Sequence, residues 1–297
     1  MSDLKPIRCG HSRVANQPAW RSGQALGIEL QGRSFADDGD IISRVRQALE
    51  QHKLVLIRDL ALDAGKLQAL ASSFGKPVEY PFSPGTPGYP FVLEILKEPG
   101  QTRNFGGGWH TDSAFLDAPP RFTFLYSVEC PPVGGDTLIA DLAAAWNHLP
   151  NDQKDHIRWL RGRHSASLAS SGGRAKRYGD YSHMALSNLA EAGRYEACHP
   201  IVRLRPGTNQ LSLYISEAHM TGIEGLDDRV GKPLLHFLFE YATRPEFVSR
   251  ITWQPGTLAI FDNSCTQHYA LNDYDGFRRR MLRITVDPRV PEIAPAH

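Results

Sequence analysis

The feature that most constrains how this 297-residue chain can fold is a set of candidate metal ligands divided between its two halves. His110, Thr111 and Asp112 stand together; His268 follows far downstream, ahead of Arg279 and Arg283. If one ion takes donors from both places, the two halves must share a core. The chain is therefore read as one domain over 1–297, although its length alone would suit one or two. In an extended strand, residues two apart point the same way, so His110 and Asp112 can face one ion while Thr111 faces elsewhere. Two imidazoles and one carboxylate on one face of an octahedron leave the other positions open, as in non-haem Fe(II) oxygenases. A lone His-x-Asp is weak evidence in a chain with 12 histidines, and its weight comes from its neighbours.

Hydrophobic periodicity predicts a sheet core with flanking helices. Ile41, Val45 and Leu49 recur at helical spacing over 40–50, and a second helix is expected near 62–74, ending at Gly75. A third is read over 233–241. Strands are expected over 54–57, 122–128, 211–215, 247–253, 257–261 and 278–286. Read at period two, the last of these puts Arg279, Met281, Arg283 and Thr285 on one face and Arg280, Leu282, Ile284 and Val286 on the other. The first set suits the interior of a barrel that holds a polar ligand; the second suits packing against another layer. Many short strands, with 26 Gly and 21 Pro available for turns, predict a mainly β fold with flanking helices, a double-sheet jelly roll. The stretch 151–194 is less patterned, and an insertion over 160–195 is a candidate lid, with a plain surface loop as the alternative.

Around the ligand pair the text reads Gly107-Gly108-Trp109-His110-Thr111-Asp112-Ser113, then Pro119-Pro120 and Gly134-Gly135-Asp136-Thr137-Leu138. Trp253-Gln254-Pro255-Gly256, Phe261-Asp262-Asn263 and Thr266-Gln267-His268-Tyr269-Ala270 follow. This ordered set resembles the TauD/TfdA family of Fe(II)- and 2-oxoglutarate-dependent dioxygenases, over roughly 23–288. The resemblance implies a double-stranded β-helix of the clavaminate synthase/TauD-like type. It implies His110, Asp112 and His268 as iron ligands and catalytic centre, with Fe(II), 2-oxoglutarate and O2 as cofactor and cosubstrates. It places the distal carboxylate of 2-oxoglutarate on Thr137 and Arg279, and the acidic group of the substrate on Arg283. The implied reaction hydroxylates an unactivated carbon and releases succinate and CO2. Where that carbon bears nitrogen, sulfur or oxygen, the product collapses and the net result is cleavage, as for a sulfonate, sulfate ester or aryloxyalkanoate. Asp112 argues against a halogenase, in which chloride would need the place of this carboxylate. A non-catalytic jelly roll that merely holds a metal is the reading outside the enzyme class.

Charge sharpens the substrate. A ferrous ion with two neutral histidines and one carboxylate is balanced, once 2-oxoglutarate is added, by Arg279 alone. Arg283 is left over, and a buried guanidinium without a counter-charge is costly, so a small anionic substrate is expected to supply it. Pairing of Arg283 with a protein carboxylate is the alternative. Departures from the taurine enzymes point away from taurine itself. Their Asn four residues before the first ligand is Gly106 here, their sulfonate-binding His falls on Tyr80, and their Asn after the Leu-Tyr-Ile strand is Ser216. Gly106, Gly107 and Gly108 open space beside the metal for a bulkier substrate. Tyr80, Gly107, Phe115 and Ser216 are therefore the expected substrate contacts besides Arg283, and Trp109 is a candidate wall. His199 is read as a structural hydrogen bonder, and His219 as either lining the pocket or exposed.

Lys and Arg total 33 against 32 Asp and Glu, so no basic excess favours a nucleic acid. The N-terminus lacks a signal-like apolar core, and no apolar run approaches a membrane span, so a cytoplasmic protein is expected. Cys9, Cys130, Cys198 and Cys265 show no Cys-x-x-Cys spacing and are read as free thiols. The oligomeric state is not read from the sequence; a homo-oligomer is left open.

Overall fold

The computed structural model describes residues 5–6, 26–30, 41–167, 173–174, 176 and 184–292. Two ten-residue strands, Pro120–Glu129 and Arg279–Pro288, pair antiparallel and form the spine of an eight-stranded sheet. Leu258–Asp262, Leu54–Ile57, Ile28–Leu30 and Lys5–Pro6 extend it on one side, and Pro77–Val78 and Leu93–Lys97 both pair with Arg279–Pro288 on the other. A second sheet is made by Val248–Ile251, Thr137–Asp141 and Thr266–Ala270.

Period-two alternation decides which core each side chain enters. Leu282, Ile284 and Val286 join Val55, Ile57, Phe124 and Ile260 in a core covered by the helices Ile41–His52 and Ala64–Ser72. Their alternates Met281, Leu125, Leu56, Ala259 and Phe261 meet Ile139 and Ile251 of the second sheet and Trp253 just beyond its strand. Each such fully buried large side chain contributes on the order of 1.5–3 kcal/mol, and two sheets packed this way make the expected jelly roll. A third cluster joins Leu142–His148 and Asp228–Ala242 to Val202, Leu213 and Ile215. None of the described helices is long and apolar enough to cross a membrane.

Helix ends differ from expectation for local reasons. The helix expected from 62 begins at Ala64 because the Asp63 carboxylate accepts the Lys66 amide. Gly75 lies beyond its end, and a Cβ there would come within 2.6 Å of Asp287 Cβ, so glycine permits the close approach to the last strand. The helix expected from Pro233 begins at Asp228, capped by Asp227, with Pro233 inside it. Of the candidate lid, 168–172, 175 and 177–183 lie outside the described residues. Its first residues form the strand Arg161–Ser165, the centre of a small sheet between Glu196–Pro200, just past the lid's end, and Met220–Ile223.

That small sheet buries two histidines. His199 Nε2 donates to the Ala114 and Leu116 carbonyls, both at 3.0 Å, the structural contact expected of it. The His164 ring lies 5.3 Å from it, and its Nδ1 donates to the Gly162 carbonyl. Burial, with further lowering by His199, pushes His164 down to about 3. Burial likewise outweighs the carbonyl acceptors at His199 and pushes it down to about 4. The unfolded chain therefore takes up protons below the ordinary histidine value of 6.5 while the folded chain does not. Stability should be full above that value and fall with pH down through the folded values. Thermal unfolding of the metal-free protein is expected to show a midpoint that declines from about pH 6.5 downward; a flat profile to pH 5 would contradict it.

Candidate active site

His110 and His268 come together through the backbone. Each amide donates to the other's carbonyl, at 3.0 and 2.8 Å, which sets the two rings 4.1 Å apart. Only His110 makes this bridge: the continuous strand expected over 110–112 does not form, and the chain turns away with Ser113 at φ 50°. Thr111 anchors the turn, its amide donating to Ser216 Oγ and its hydroxyl to the Thr266 carbonyl. The turn nonetheless leaves Asp112 Oδ1 3.9 Å from His110 Nε2. Donor atoms of His110, Asp112 and His268 lie within 4.8 Å of one another, and all three residues are buried.

Protonation states suit a divalent cation. His110 Nδ1 donates to the Gly108 carbonyl at 2.9 Å, so the ring's lone pair sits on Nε2. Burial and neighbouring His110 push His268 down to about 3, so its imidazole is neutral. Burial alone would raise the Asp112 carboxyl, but Arg283, His268, His110 and the Thr123 hydroxyl hold it well below the usual carboxylate range. Among the described residues no fourth His, Cys, Asp or Glu joins the group. An ion held here would keep positions for small ligands.

Arg283 behaves differently from the expectation of a cation without a protein partner. Its Nη1 donates to Asp112 Oδ1 at 2.7 Å, so the carboxylate it pairs with is itself a candidate metal ligand. Its guanidinium also sits 4.9 Å from the centre of the Tyr80 ring.

Behind the histidines a narrow inner chamber is lined by Thr137, Arg279, Ile95 and Leu125. Arg279 is buried, and among the described residues its Nε and Nη2 have no hydrogen-bond partner. Burial lowers its pKa, as for a cation short of counter-charge. Trp253 Nε1 donates to Thr137 Oγ1 at 3.0 Å, which leaves the hydroxyl's own hydrogen for another acceptor. Gly134 and Gly135 make this possible. Both have positive φ, and a Cβ on Gly134 would lie 2.5 Å from the Asp273 carbonyl, one on Gly135 3.3 Å from Arg279 Cδ. A buried fork of unpaired donors beside a hydroxyl fits one carboxylate of a diacid.

On the other side of the metal position opens a cavity of about 320 Å³. Tyr80, Phe105, Trp109, Phe115 and Tyr269 give it aromatic walls, Gly106, Gly107 and Gly108 form one side, and Arg283 and Arg174 bring positive charge. Tyr80, Gly107 and Phe115 thus lie where substrate contacts were expected. Ser216 does not: it is fully buried outside the cavity, its hydroxyl occupied by the Thr111 amide. His219 is buried on the cavity wall, 5.2 Å from the Phe115 ring. Phe105, Arg174 and Thr123 carry no motif-level signal in the sequence. Arg174 reaches the cavity from the candidate lid, where its Nη1 donates to the Tyr80 hydroxyl at 2.9 Å.

Dioxygenases that use Fe(II) and 2-oxoglutarate set such a donor triad inside a jelly roll, and this chain is one of them. It belongs to the TauD/TfdA family, whose model, described as taurine catabolism dioxygenase TauD, TfdA family, matches residues 16–285. An alkylsulfatase of Acinetobacter baylyi is 32% identical over 266 residues, covering 88% of this chain and 82% of that protein. An alpha-ketoglutarate-dependent sulfate ester dioxygenase of Pseudomonas putida is 32% identical over 274 residues, covering 90% and 88%. The crystal structure of a taurine dioxygenase from Burkholderia xenovorans superposes with a TM-score of 0.73 at 30% identity, covering 90% of this chain and 89% of that one.

Proposed function

We propose that this enzyme hydroxylates a carbon of a small organic anion, with His110, Asp112 and His268 holding Fe(II), Thr137 and Arg279 holding 2-oxoglutarate, and Arg283 receiving the anion. The observation that carries the reading is the pairing of two cationic groups with one metal position: Arg279 in the inner chamber, and Arg283 between that chamber and the outer cavity, lining both. Held by these residues, iron with 2-oxoglutarate and dioxygen would supply the oxidising chemistry for hydroxylating an unactivated carbon, with succinate and carbon dioxide as coproducts.

The residues provide the rest. Neutral His268 and ionised Asp112 present lone pairs without first shedding protons. Arg279 and Thr137 fix the far carboxylate of 2-oxoglutarate and so the orientation of its reactive end. Arg283 pairs with Asp112 in the metal-free protein, yet that pair does not balance the loaded site. Arg174 and Glu217 of the cavity wall cancel, so the ion's two positive charges and those of Arg279 and Arg283 face Asp112 and the two charges of 2-oxoglutarate. One positive charge is uncompensated, and an anionic substrate neutralises it. The aromatic walls exclude water from the carbon to be attacked.

The relatives named for alkyl sulfates and sulfate esters favour a more specific outcome. If the hydroxylated carbon bears the ester oxygen, the product collapses to an aldehyde with release of sulfate. Succinate release should be measured across alkyl sulfates, sulfonates, aryloxyalkanoates and the corresponding neutral alcohols, with sulfate and aldehyde assayed together. Anions are expected to stimulate turnover and alcohols are not; equal stimulation by both would refute anion recognition. Arg283→Gln should leave 2-oxoglutarate binding within about twofold but raise the KM of the anion by roughly 30-fold or more, the cost of about 2 kcal/mol for a lost buried charge partner. An unchanged KM would move the anion site elsewhere.

A further inference from the structure

We infer that Thr123 and Asn263 are positioning residues that hold Asp112 as a one-oxygen metal ligand. The inference rests on the reading of His110, Asp112 and His268 as the metal site. Thr123 lies on the strand Pro120–Glu129 and is fully buried. Its Oγ1 lies 2.6 Å from Asp112 Oδ2, and Asn263 Nδ2 donates to the same Oγ1 at 2.8 Å. The direction of both bonds follows from chemistry. An ionised carboxylate can only accept, so the Thr123 hydrogen must point at Oδ2. That leaves Oγ1 able only to accept from Asn263, which fixes the amide orientation.

The consequence is an asymmetric carboxylate. Oδ2 is tied back to the core through Thr123 and Asn263, while Oδ1 faces His110 Nε2 at 3.9 Å and Arg283 Nη1 at 2.7 Å. Only Oδ1 is offered to the metal position. A carboxylate free to rotate could present both oxygens and occupy a position that a small ligand needs, or settle wholly on Arg283 and leave the metal. Partners outside the ligand set commonly change metal affinity or activity by about 10- to 100-fold.

The test is Mn(II) affinity by calorimetric titration, alongside the anaerobic visible band of the protein with Fe(II) and 2-oxoglutarate. Thr123→Val, which keeps shape and removes the donor, is expected to weaken Mn(II) binding about tenfold or more and to shift or weaken the band. Thr123→Ser should restore both to near the parent values, and Asn263→Ala should move both in the direction of Thr123→Val, by less. Thr123→Val binding Mn(II) like the parent overturns the inference. So does a loss that Thr123→Ser fails to rescue, because that loss belongs to packing. Failure of the underlying metal assignment looks different: the parent protein would bind Mn(II) no better than Asp112→Ala.

Discussion

Asp112→Ala is expected to abolish succinate formation altogether and to unfold at a lower denaturant concentration than the parent. The catalytic loss follows from removing the only anionic donor of the candidate metal group of three residues. The stability loss has a separate origin. Arg283, paired at 2.7 Å and almost wholly buried, would lose its counter-charge. Breaking a buried pair from one side costs about 3–5 kcal/mol, far more than the pair itself contributes. Urea unfolding of the metal-free protein measures this directly. Adding Arg283→Met to Asp112→Ala should recover most of the lost stability and none of the activity. If the double variant is as unstable as the single one, the charge argument is wrong.

Arg279→Gln is expected to raise the KM for 2-oxoglutarate by about 30-fold to a few thousandfold, corresponding to roughly 2–5 kcal/mol for a buried charge-assisted contact. Two of the Arg279 nitrogens lack partners among the described residues, so the metal-free protein loses little when they go. Its stability should therefore hold or rise, since replacing a desolvated cation by an amide relieves the burial that lowers the Arg279 pKa. Initial rates over a 2-oxoglutarate series and a thermal melt separate the two effects. Should Arg283→Gln weaken 2-oxoglutarate while Arg279→Gln weakens only the anion, the two guanidinium roles are exchanged.

The last strand shows why part of this was legible in advance. Its alternation assigns Arg279, Arg283 and Met281 to one face and Leu282, Ile284 and Val286 to the other; the second set enters one core, while Met281 enters the other and the arginines line the inner chamber. Period two is a property of extended backbone, so pattern alone sorts such residues. The Gly134-Gly135 pair is legible for a similar reason, because only glycine tolerates those φ values at that closeness. The strand assumed for His110 to Asp112 is a counterexample. The two donors converge there because a turn at Ser113, anchored through Thr111, redirects the chain. Ser216 stands where the taurine enzymes carry an Asn after a strand, but its hydroxyl caps the Thr111 amide instead. Which neighbour a short polar side chain meets depends on a residue more than a hundred positions away, and no local pattern carries that.

From its amino acids alone, the chain indicates a jelly roll and a strand face that carries both arginines, because periodicity and turn chemistry are local properties; the roles expected of the donors and the arginines come from the family resemblance. Only the folded structure decided that Asp112 is shared between His110, Thr123 and Arg283, that His219 and Arg174 reach the cavity, and that His199 braces the turn after Asp112. Hydrogen bonds and charge pairs act over a few ångströms, so which groups meet is settled by the packing of sheets whose strands lie far apart in sequence.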